Sequence, residues 1–363
     1  MNYFAEIFRK VMVVHALTLH SMRTHANVSL YKRAREHMAR YYDYSARMYQ
    51  EWRCKGVLVN QKCPACGSDR TRLEFDRAAI DSSRYERCME CSFLYANPMP
   101  SEEYYNEIYV SSFGGLDTWW YGQKQALGEA EDTAYEGAYR DLERIWQRKP
   151  SGTFLDYGCG TGWLLEKLKD TYDVYGVDLD ESRIAEARGR LGDAHEKIAA
   201  LSELDGQSFV ERFDIIHCSQ TLEHLLDPMT YLEKFYTWLR PGGILYLSFP
   251  CSDSFAMSFF EEHNTVSVLG HVSLFTKQSI LRALRSVGFS RVEAAHGGLD
   301  VSALELWKRI FGIECFHQYA YIESSLLCAV LYPIMFMTTT MLNVLAMSGI
   351  VKCGNITVVA TKG

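Results

Sequence analysis

Apolar runs alternate with helical patterns through the second half of the chain. One apolar run ends at Leu155, and leucines then recur at helical spacing as far as Leu168. A second apolar run ends at Asp178, and the polar residues at 180–182 predict the start of another helix. Because buried strands that alternate with helices form a parallel sheet, this pattern predicts an α/β fold.

A glycine-rich turn joins the first apolar run to its helix. An acid, Asp156, is followed at alternate positions by Gly158, Gly160 and Gly162. Glycine lets a ligand approach the backbone where a side chain would collide with it. The spacing differs from the dinucleotide fingerprint G-x-G-x-x-G, whose third glycine is replaced here by a tryptophan. Asp178 follows about twenty residues later, where a carboxylate can bind ribose hydroxyls, so the pattern predicts a nucleoside site.

The turn and the second acid resemble motif I and the next acidic position of the class I S-adenosylmethionine (SAM) methyltransferases. The resemblance implies that Asp178 binds the ribose and that Asp156 lies near the amino group of the methionine half. It implies a cofactor site formed by Asp156, Gly158, Cys159, Gly160, Gly162, Asp178, Leu179 and Gln220. A doubly wound fold that binds another nucleotide, or none, is the alternative.

Further segments follow in the order of that family. The segments 212–228 and 239–250 resemble its fourth and fifth strands, with a Pro-Gly-Gly turn before the fifth. Residues 271–289 resemble the next loop and helix, and 291–295 and 356–361 resemble the last two strands. The resemblance implies a Rossmann-like, doubly wound sheet of seven strands with the last antiparallel, preceded by a small zinc ribbon and helical segments.

Two cysteine pairs precede these segments. Cys63 and Cys66 form one C-x2-C pair, Cys88 and Cys91 form the other, and twenty-one residues separate them. Each pair can lie on a tight turn whose amides point at the thiolates, and four thiolates complete a tetrahedral zinc site. The segments TRLEF and SSRYERC between the pairs predict short strands. Four ligands leave no position for water, so the predicted zinc is structural, with a redox role as the alternative.

The chain of 363 residues is long enough for two or three modules. The predicted modules are a basic helical extension at 1–60, the zinc ribbon at 61–100, an aromatic-rich helical lid at 101–150 and the methyltransferase domain at 151–363. An apolar helical insertion is predicted at about 302–352, where 324–351 carries no charged residue. The insertion could form a homodimer interface, a groove for a lipid substrate, or a hairpin in a membrane surface.

Charge and cysteine usage limit the expected partners. The formal net charge of −7 argues against nucleic acid. Residues 1–60, however, carry ten Lys and Arg against four acids, which predicts a solvated helical face or an arm that touches a membrane or an acidic polymer. Scattered single cysteines suit a reducing compartment, so we predict a cytoplasmic protein, with association at the inner membrane face as the alternative.

A histidine beside a carboxylate is the predicted catalytic base. Methyl transfer needs alignment of the reactants, and a hydroxyl acceptor also needs its proton removed. His224 follows the fourth-strand segment, and Glu223 could orient its ring; the alternative is that this pair caps the next helix and holds the loop. His271 is the second candidate base, whereas His217 lies in an apolar strand and is predicted to be core. Ubiquinone-pathway O-methyltransferases look similar here but bind a divalent ion with a glutamate at the position of Gln220, so a catalytic metal is not expected.

The predicted function is SAM-dependent methyl transfer to a small-molecule or saccharide acceptor, with a hydroxyl oxygen favoured. The order of zinc ribbon, aromatic helical segment and SAM domain is similar to bacterial methyltransferases associated with polysaccharide and sugar modification. A lipid-linked glycan would account for the basic arm and the uncharged stretch. Two alternatives remain open: an RNA methyltransferase whose ribbon binds the RNA, and a non-catalytic scaffold with a SAM fold.

Overall fold

A computed structural model describes residues 43–78, 82–106, 149–201, 209–254, 257, 270–297, 314–316, 319–321, 337, 341 and 354–363. The predictions for the basic arm before residue 43, for the aromatic segment 107–148 and for nearly all of 324–351 lie outside the described residues. The chain divides into two compact units. One comprises Met1–Tyr44, Cys251–Thr265 and His296–Ile356, and the other comprises Ser45–Pro250, Val266–Ala295 and Thr357–Gly363.

The described elements follow one another in chain order. The strands are β1 (Thr71–Asp76), β2 (Arg84–Cys88), β3 (Leu94–Ala96), β4 (Gly152–Tyr157), β5 (Tyr172–Asp178), β6 (Ile198–Ala200), β7 (Phe213–Ser219), β8 (Leu239–Pro250), β9 (Ser273–Leu274), β10 (Phe289–Gly297), β11 (Glu314–Phe316), β12 (Tyr319–Tyr321) and β13 (Asn355–Lys362). The helices are α1 (Trp163–Leu168), α2 (Glu181–Leu191), α3 (Pro228–Trp238) and α4 (Lys277–Val287). Single turns of 3-10 helix lie at Gly192–Lys197 and Leu222–His224, and residues 43–55 and 102–106 are also helical.

The main sheet has seven strands in the order β10-β13-β8-β7-β4-β5-β6. The pairs β8–β7, β7–β4, β4–β5 and β5–β6 are parallel. The last strand is antiparallel, because Lys362 at its end donates to the carbonyl of Leu239 at the start of β8, at 2.8 Å. This architecture confirms the predicted α/β fold with an antiparallel last strand.

Local sequence explains why the helices begin where they do. The side chain of Asp180 accepts hydrogen bonds from the amides of Ser182 and Arg183 at the start of α2, as the polar residues there predict. Thr276 and Ser279 form a reciprocal capping box at the start of α4. Each such cap contributes about 1 kcal/mol to helix stability by satisfying amides that lack a partner in the first turn.

Strand β8 differs from its prediction. The Pro-Gly-Gly sequence was expected as a turn before the strand, but β8 already begins at Leu239. Leu239 pairs with Phe213 of β7, whereas Ile244 pairs with Ile215, so the intervening residues bulge out of the ladder. Left-handed backbone at Gly242, with φ +72°, permits the excursion, so the same residues that suggested a turn produce a bulge within the strand.

The cysteine-containing segment forms a second sheet in the order β1-β2-β3-β9. The two predicted ribbon strands correspond to β1 and β2, which pair antiparallel. The prediction missed β3 and β9. Strand β9 follows His271 and pairs with β3 through Leu94 and Leu274, so a segment expected to be a loop supplies the fourth strand of the ribbon sheet.

Within the segment predicted to be a helical insertion, the described residues include a β-hairpin. Strands β11 and β12 pair antiparallel, with Phe316 opposite Tyr319. Aromatic side chains at strand positions on both sides of a two-residue connection favour this structure locally over a helix. Met337 and Met341 are helical, as predicted for that part. No described helix is long and apolar enough to span a membrane.

Candidate cofactor pocket, catalytic cluster and metal centre

Backbone hydrogen bonds hold the turn after β4 against the end of β5. The amides of Gly158 and Cys159 both donate to the carbonyl of Val177, at 2.8 and 3.0 Å. The amide of Gly160 donates to Oδ2 of Asp178 at 2.8 Å, and Oδ1 accepts from a backbone amide two residues further on. Burial raises the pKa of Asp178, and these two hydrogen bonds oppose the shift. The predicted nucleoside turn and the predicted ribose acid therefore lie together.

Different constraints favour glycine at the three positions of the turn. A Cβ at Gly158 would lie 2.1 Å from Oγ1 of Thr221, and one at Gly162 would lie 2.9 Å from Cβ of Ala187 in α2. Packing therefore closes both positions to larger residues. Gly160 has φ +52°, and a Cβ there would meet nothing within 4 Å. The left-handed backbone favours glycine at this position, and the open space beside it is where a ligand can approach.

The remaining predicted cofactor residues border the same turn. Cys159 is buried, and burial raises the pKa of its thiol. Leu179 is half-buried directly after Asp178. Gln220 is exposed after the end of β7 and has φ +53°. Its backbone amide donates to the carbonyl of Ser248 at 2.7 Å. Left-handed backbone is uncommon for a residue other than glycine, so the position of Gln220 is constrained by this strand end.

Asp156 is the second carboxylate of this region and lies next to last in β4. It is buried, and its Oδ1 lies 2.7 Å from Nδ1 of His217 in β7. His217 is buried as predicted. Its hydrogen bond to Asp156 was missed, because it arises from the pairing of two strands that are sixty-one residues apart in the sequence.

The three candidate catalytic residues converge. One donor atom each from Glu223, His224 and His271 lies within 4.8 Å of the others. Oε1 of Glu223 is 3.9 Å from Nε2 of His271, and the two imidazole rings are 5.1 Å apart at 61°. The carboxylate of Glu223 is fully buried, whereas both histidines are half-buried. The alternative had two parts. This pair does not cap α3, because Asp227 accepts the hydrogen bond from the first turn of that helix. The pair does hold the loop, because the carbonyl of Glu223 accepts from the amide of Val272 and Nδ1 of His224 bonds the carbonyl of Gly270.

The ribbon sheet holds the loop that carries His271. The hydroxyl of Tyr85 in β2 donates to the carbonyl of His271 at 3.2 Å, and the amide of Ala96 donates to the carbonyl of Val272 at 2.9 Å. The amide of Val272 in turn donates to the carbonyl of Glu223 at 2.9 Å. A continuous set of backbone contacts therefore joins the ribbon, the His271 loop and the Glu223 turn.

The four cysteines of the ribbon form one cluster. Sγ of Cys63 is 3.6 Å from Sγ of Cys91, and Sγ of Cys66 is 3.6 Å from Sγ of Cys88. In the second turn the backbone amide of Glu90 also donates to Sγ of Cys88 at 3.4 Å, so an amide points at this sulfur as the sequence predicts.

The thiols of the cluster share their protons. The hydrogen bond from Cys63 lowers the pKa of Cys91 to about 5, and the same contact raises the pKa of Cys63. A divalent cation would replace such shared protons, and four thiolate sulfurs are the donor set that structural zinc uses. The residues therefore fit a zinc ion held by Cys63, Cys66, Cys88 and Cys91.

Comparison with known proteins identifies the domain around this site. Residues 130–294 match the family model described as a methyltransferase domain. A ubiquinone biosynthesis O-methyltransferase from Hydrogenovibrio crunogenus is 31% identical over 161 residues, covering 42% of this chain and 62% of that protein. Residues 130–294 therefore carry a methyltransferase domain. A probable SAM-dependent methyltransferase from Mycolicibacterium smegmatis is 25% identical over 194 residues, covering 50% of this chain and 75% of that protein.

Similarity to solved structures is low. A SAM-dependent methyltransferase from Archaeoglobus fulgidus is 17% identical, covers 67% of this chain and 100% of that chain, and superposes with a TM-score of 0.43. The fold of this domain is assigned from its own strand order. This chain spans 62% of the length of the ubiquinone O-methyltransferase it matches, so the acceptor of that relative is not carried over.

Zinc content tests the candidate metal centre. We expect the double variant Cys66→Ser, Cys88→Ser to lose zinc, from about one ion per chain to near zero, because two of the four thiolates are gone. Elemental mass spectrometry on the full chain measures this content. The thermal midpoint should also fall, because the metal stabilises a ribbon with little core of its own.

Two matched cysteine variants serve as controls for the zinc measurement. Cys54→Ser removes an exposed thiol outside the cluster. Cys251→Ser removes the thiol that lies with Asp253 and His296 in the other cysteine-containing donor set of the described residues. Both controls should retain the zinc. Full zinc content in the Cys66→Ser, Cys88→Ser protein would show that the ribbon does not bind it.

Proposed function

We propose that this protein transfers the methyl group of SAM to a hydroxyl oxygen of a small-molecule or saccharide acceptor. The observation that carries the proposal is the contact between the glycine turn and the base cluster. Thr221 packs its hydroxyl against Gly158 and lies two residues before Glu223. The cofactor turn and the candidate base therefore meet at the carboxyl ends of the neighbouring strands β4 and β7, the edge where doubly wound sheets bind ligands.

The hydrogen bond of His224 assigns its tautomer. Nδ1 of His224 lies 3.0 Å from the carbonyl oxygen of Gly270. Because a carbonyl oxygen only accepts, Nδ1 carries the hydrogen, and Nε2 is the basic nitrogen of the neutral ring. The buried carboxylate of Glu223 lies close enough to stabilise the imidazolium that forms when Nε2 takes a proton.

The proposed reaction uses these groups in one displacement step. SAM supplies a methyl group on a positively charged sulfur that leaves readily. Nε2 of His224 takes the proton of the acceptor hydroxyl while the oxygen bonds to the methyl carbon. The carbon–sulfur bond breaks, and its electron pair remains on sulfur in S-adenosylhomocysteine. His224 then returns its proton to water. Throughout the cycle the carboxylate of Glu223 also faces His271, whose Nε2 lies 3.9 Å from Oε1.

The charges of the ribbon favour a small acceptor over RNA. A nucleic-acid surface presents basic groups to phosphates. In this ribbon, four arginines are each engaged by an acid of the same ribbon: Arg70 by Glu90, Arg72 and Arg87 by Glu74, and Arg84 by Asp76. The ribbon instead contacts the His271 loop, which suits a role in shaping the acceptor site. The saccharide class itself rests on the order of the modules in the sequence.

Binding of S-adenosylhomocysteine tests the cofactor site without knowledge of the acceptor. We expect Gly160→Arg to lower affinity by at least about tenfold, because the side chain would fill the open space beside the turn. Asp178→Ala should lower affinity by about 10- to 100-fold through loss of charged hydrogen bonds to the ribose. Isothermal titration calorimetry measures both.

Gly189→Arg is the matched control for the first variant. A Cβ at Gly189 also meets nothing within 4 Å, but this residue lies on the exposed face of α2. Its affinity should equal that of the unmodified protein. If Gly160→Arg and Asp178→Ala both bind S-adenosylhomocysteine normally, the site assignment is wrong.

A screen of sugar nucleotides and simple hydroxylated acceptors tests His224 as the base. The measured quantity is the formation of S-adenosylhomocysteine from SAM. With any acceptor that reacts, His224→Gln should lower kcat by about 10²- to 10⁴-fold while the affinity for S-adenosylhomocysteine is unchanged. The same rates with and without added Mg²⁺ test whether the cluster holds a cation instead, since its three donor atoms lie within 4.8 Å of one another. A kcat within twofold of the original in His224→Gln would rule this histidine out as the base.

A further inference from the structure

We infer that His217 is a positioning residue that orients Asp156 toward the ammonium group of the methionine half of the cofactor. The inference rests on the proposed function, since it concerns the same pocket. It assigns a task to a buried histidine that takes no part in the proton transfer.

Strand register brings the two side chains together. Asp156 in β4 and His217 in β7 are direct partners in the parallel ladder, and their side chains lie on the same face of the sheet. Nδ1 of His217 and Oδ1 of Asp156 are 2.7 Å apart, and both side chains are more than nine-tenths buried. A carboxylate oxygen only accepts when ionised, so Nδ1 carries the hydrogen in this contact.

Aromatic rings hold the imidazole in one plane. The ring of His217 stacks on Tyr246 of β8 at 5.1 Å and 15°, and on Phe154 of β4 at 6.1 Å and 26°. With a ring on each side, the imidazole cannot rotate without displacing a neighbour. The direction of its Nδ1–H is therefore set by packing, and this in turn sets the rotamer of Asp156.

Packing alone does not account for a histidine at this position. Among the described residues, Nε2 of His217 is buried without a hydrogen-bond partner. A buried polar atom without a partner destabilises the fold, and a phenyl ring in the same stack would avoid that cost. The hydrogen bond to Asp156 is the contribution that a phenyl ring could not make.

The carboxylate of Asp156 is occupied on one side only. Oδ1 is bound to His217, whereas Oδ2 makes no hydrogen bond to any described residue. Asp156 lies two residues before Gly158, at the entrance to the glycine turn. An oriented carboxylate with one oxygen to spare is suited to a cationic ammonium group. Asp178 on the neighbouring strand serves the ribose, so the two carboxylates divide the cofactor between its amino-acid and nucleoside halves.

Two nucleoside ligands separate positioning from a general structural role. S-adenosylhomocysteine carries the amino-acid group, and 5′-methylthioadenosine lacks it. His217→Phe keeps a stacked ring. We expect it to lower the affinity for S-adenosylhomocysteine by about 10- to 30-fold and the affinity for 5′-methylthioadenosine by less than about twofold. Calorimetry on the full chain measures both affinities. His217→Asn should retain most of the affinity, because an amide can donate from the position of Nδ1.

Asp156→Asn provides a second test if His217→Phe fails to fold. It keeps the shape of the side chain, removes the charge, and should show the same selective loss of S-adenosylhomocysteine. Equal weakening of both ligands in the folded variants would mean that His217 only supports the sheet, and unchanged binding of both would mean that it has no role in binding. If the unmodified protein binds neither ligand, the proposed function itself fails, which is a different outcome.

Discussion

The hydrogen bonds between the β4 turn and the end of β5 are the constraint on which the site depends. Asp178 accepts a hydrogen bond from the amide of Gly160 on one oxygen, so the acid proposed to bind the ribose also anchors the turn. Each carboxylate oxygen has two lone pairs, so both tasks can be served at once. The glycine at 160 is then needed because the anchored backbone is left-handed there. A change at either residue alters the anchor and the pocket together.

Much of the fold could be predicted because its signals are local. The turn between Asp156 and Gly162 and the acid at the end of β5 are readable from spacing alone, and the α2 cap at Asp180 follows the same logic. Strand β6 was not located, because three residues carry too little pattern. Strand β9 was missed for a different reason: Ser273 and Leu274 form a strand only because β3 supplies an edge for them.

The candidate catalytic cluster shows the same division between local and non-local information. The Glu223–His224 pair and His271 were predicted as two separate candidates from their residue types and positions. Their convergence depends on the backbone hydrogen bond from Val272 to Glu223, which joins segments about fifty residues apart and leaves no local sign. The pairing of Asp156 with His217 was hidden likewise, because it requires the register of β4 against β7. An apolar run predicts that His217 is buried but not what it contacts.

The ribbon supports the candidate catalytic cluster, which its own turn cannot hold in place. Glu223 and His224 lie in a single 3-10 turn, Leu222–His224, which is too short to hold its own geometry. Support comes instead from outside the turn, through Val272 and then through the ribbon sheet. Because metal binding stabilises a small ribbon directly, the four cysteines can stabilise this geometry from a distance. A zinc ion with no open coordination position would thus influence catalysis only through the rigidity of β3 and β9.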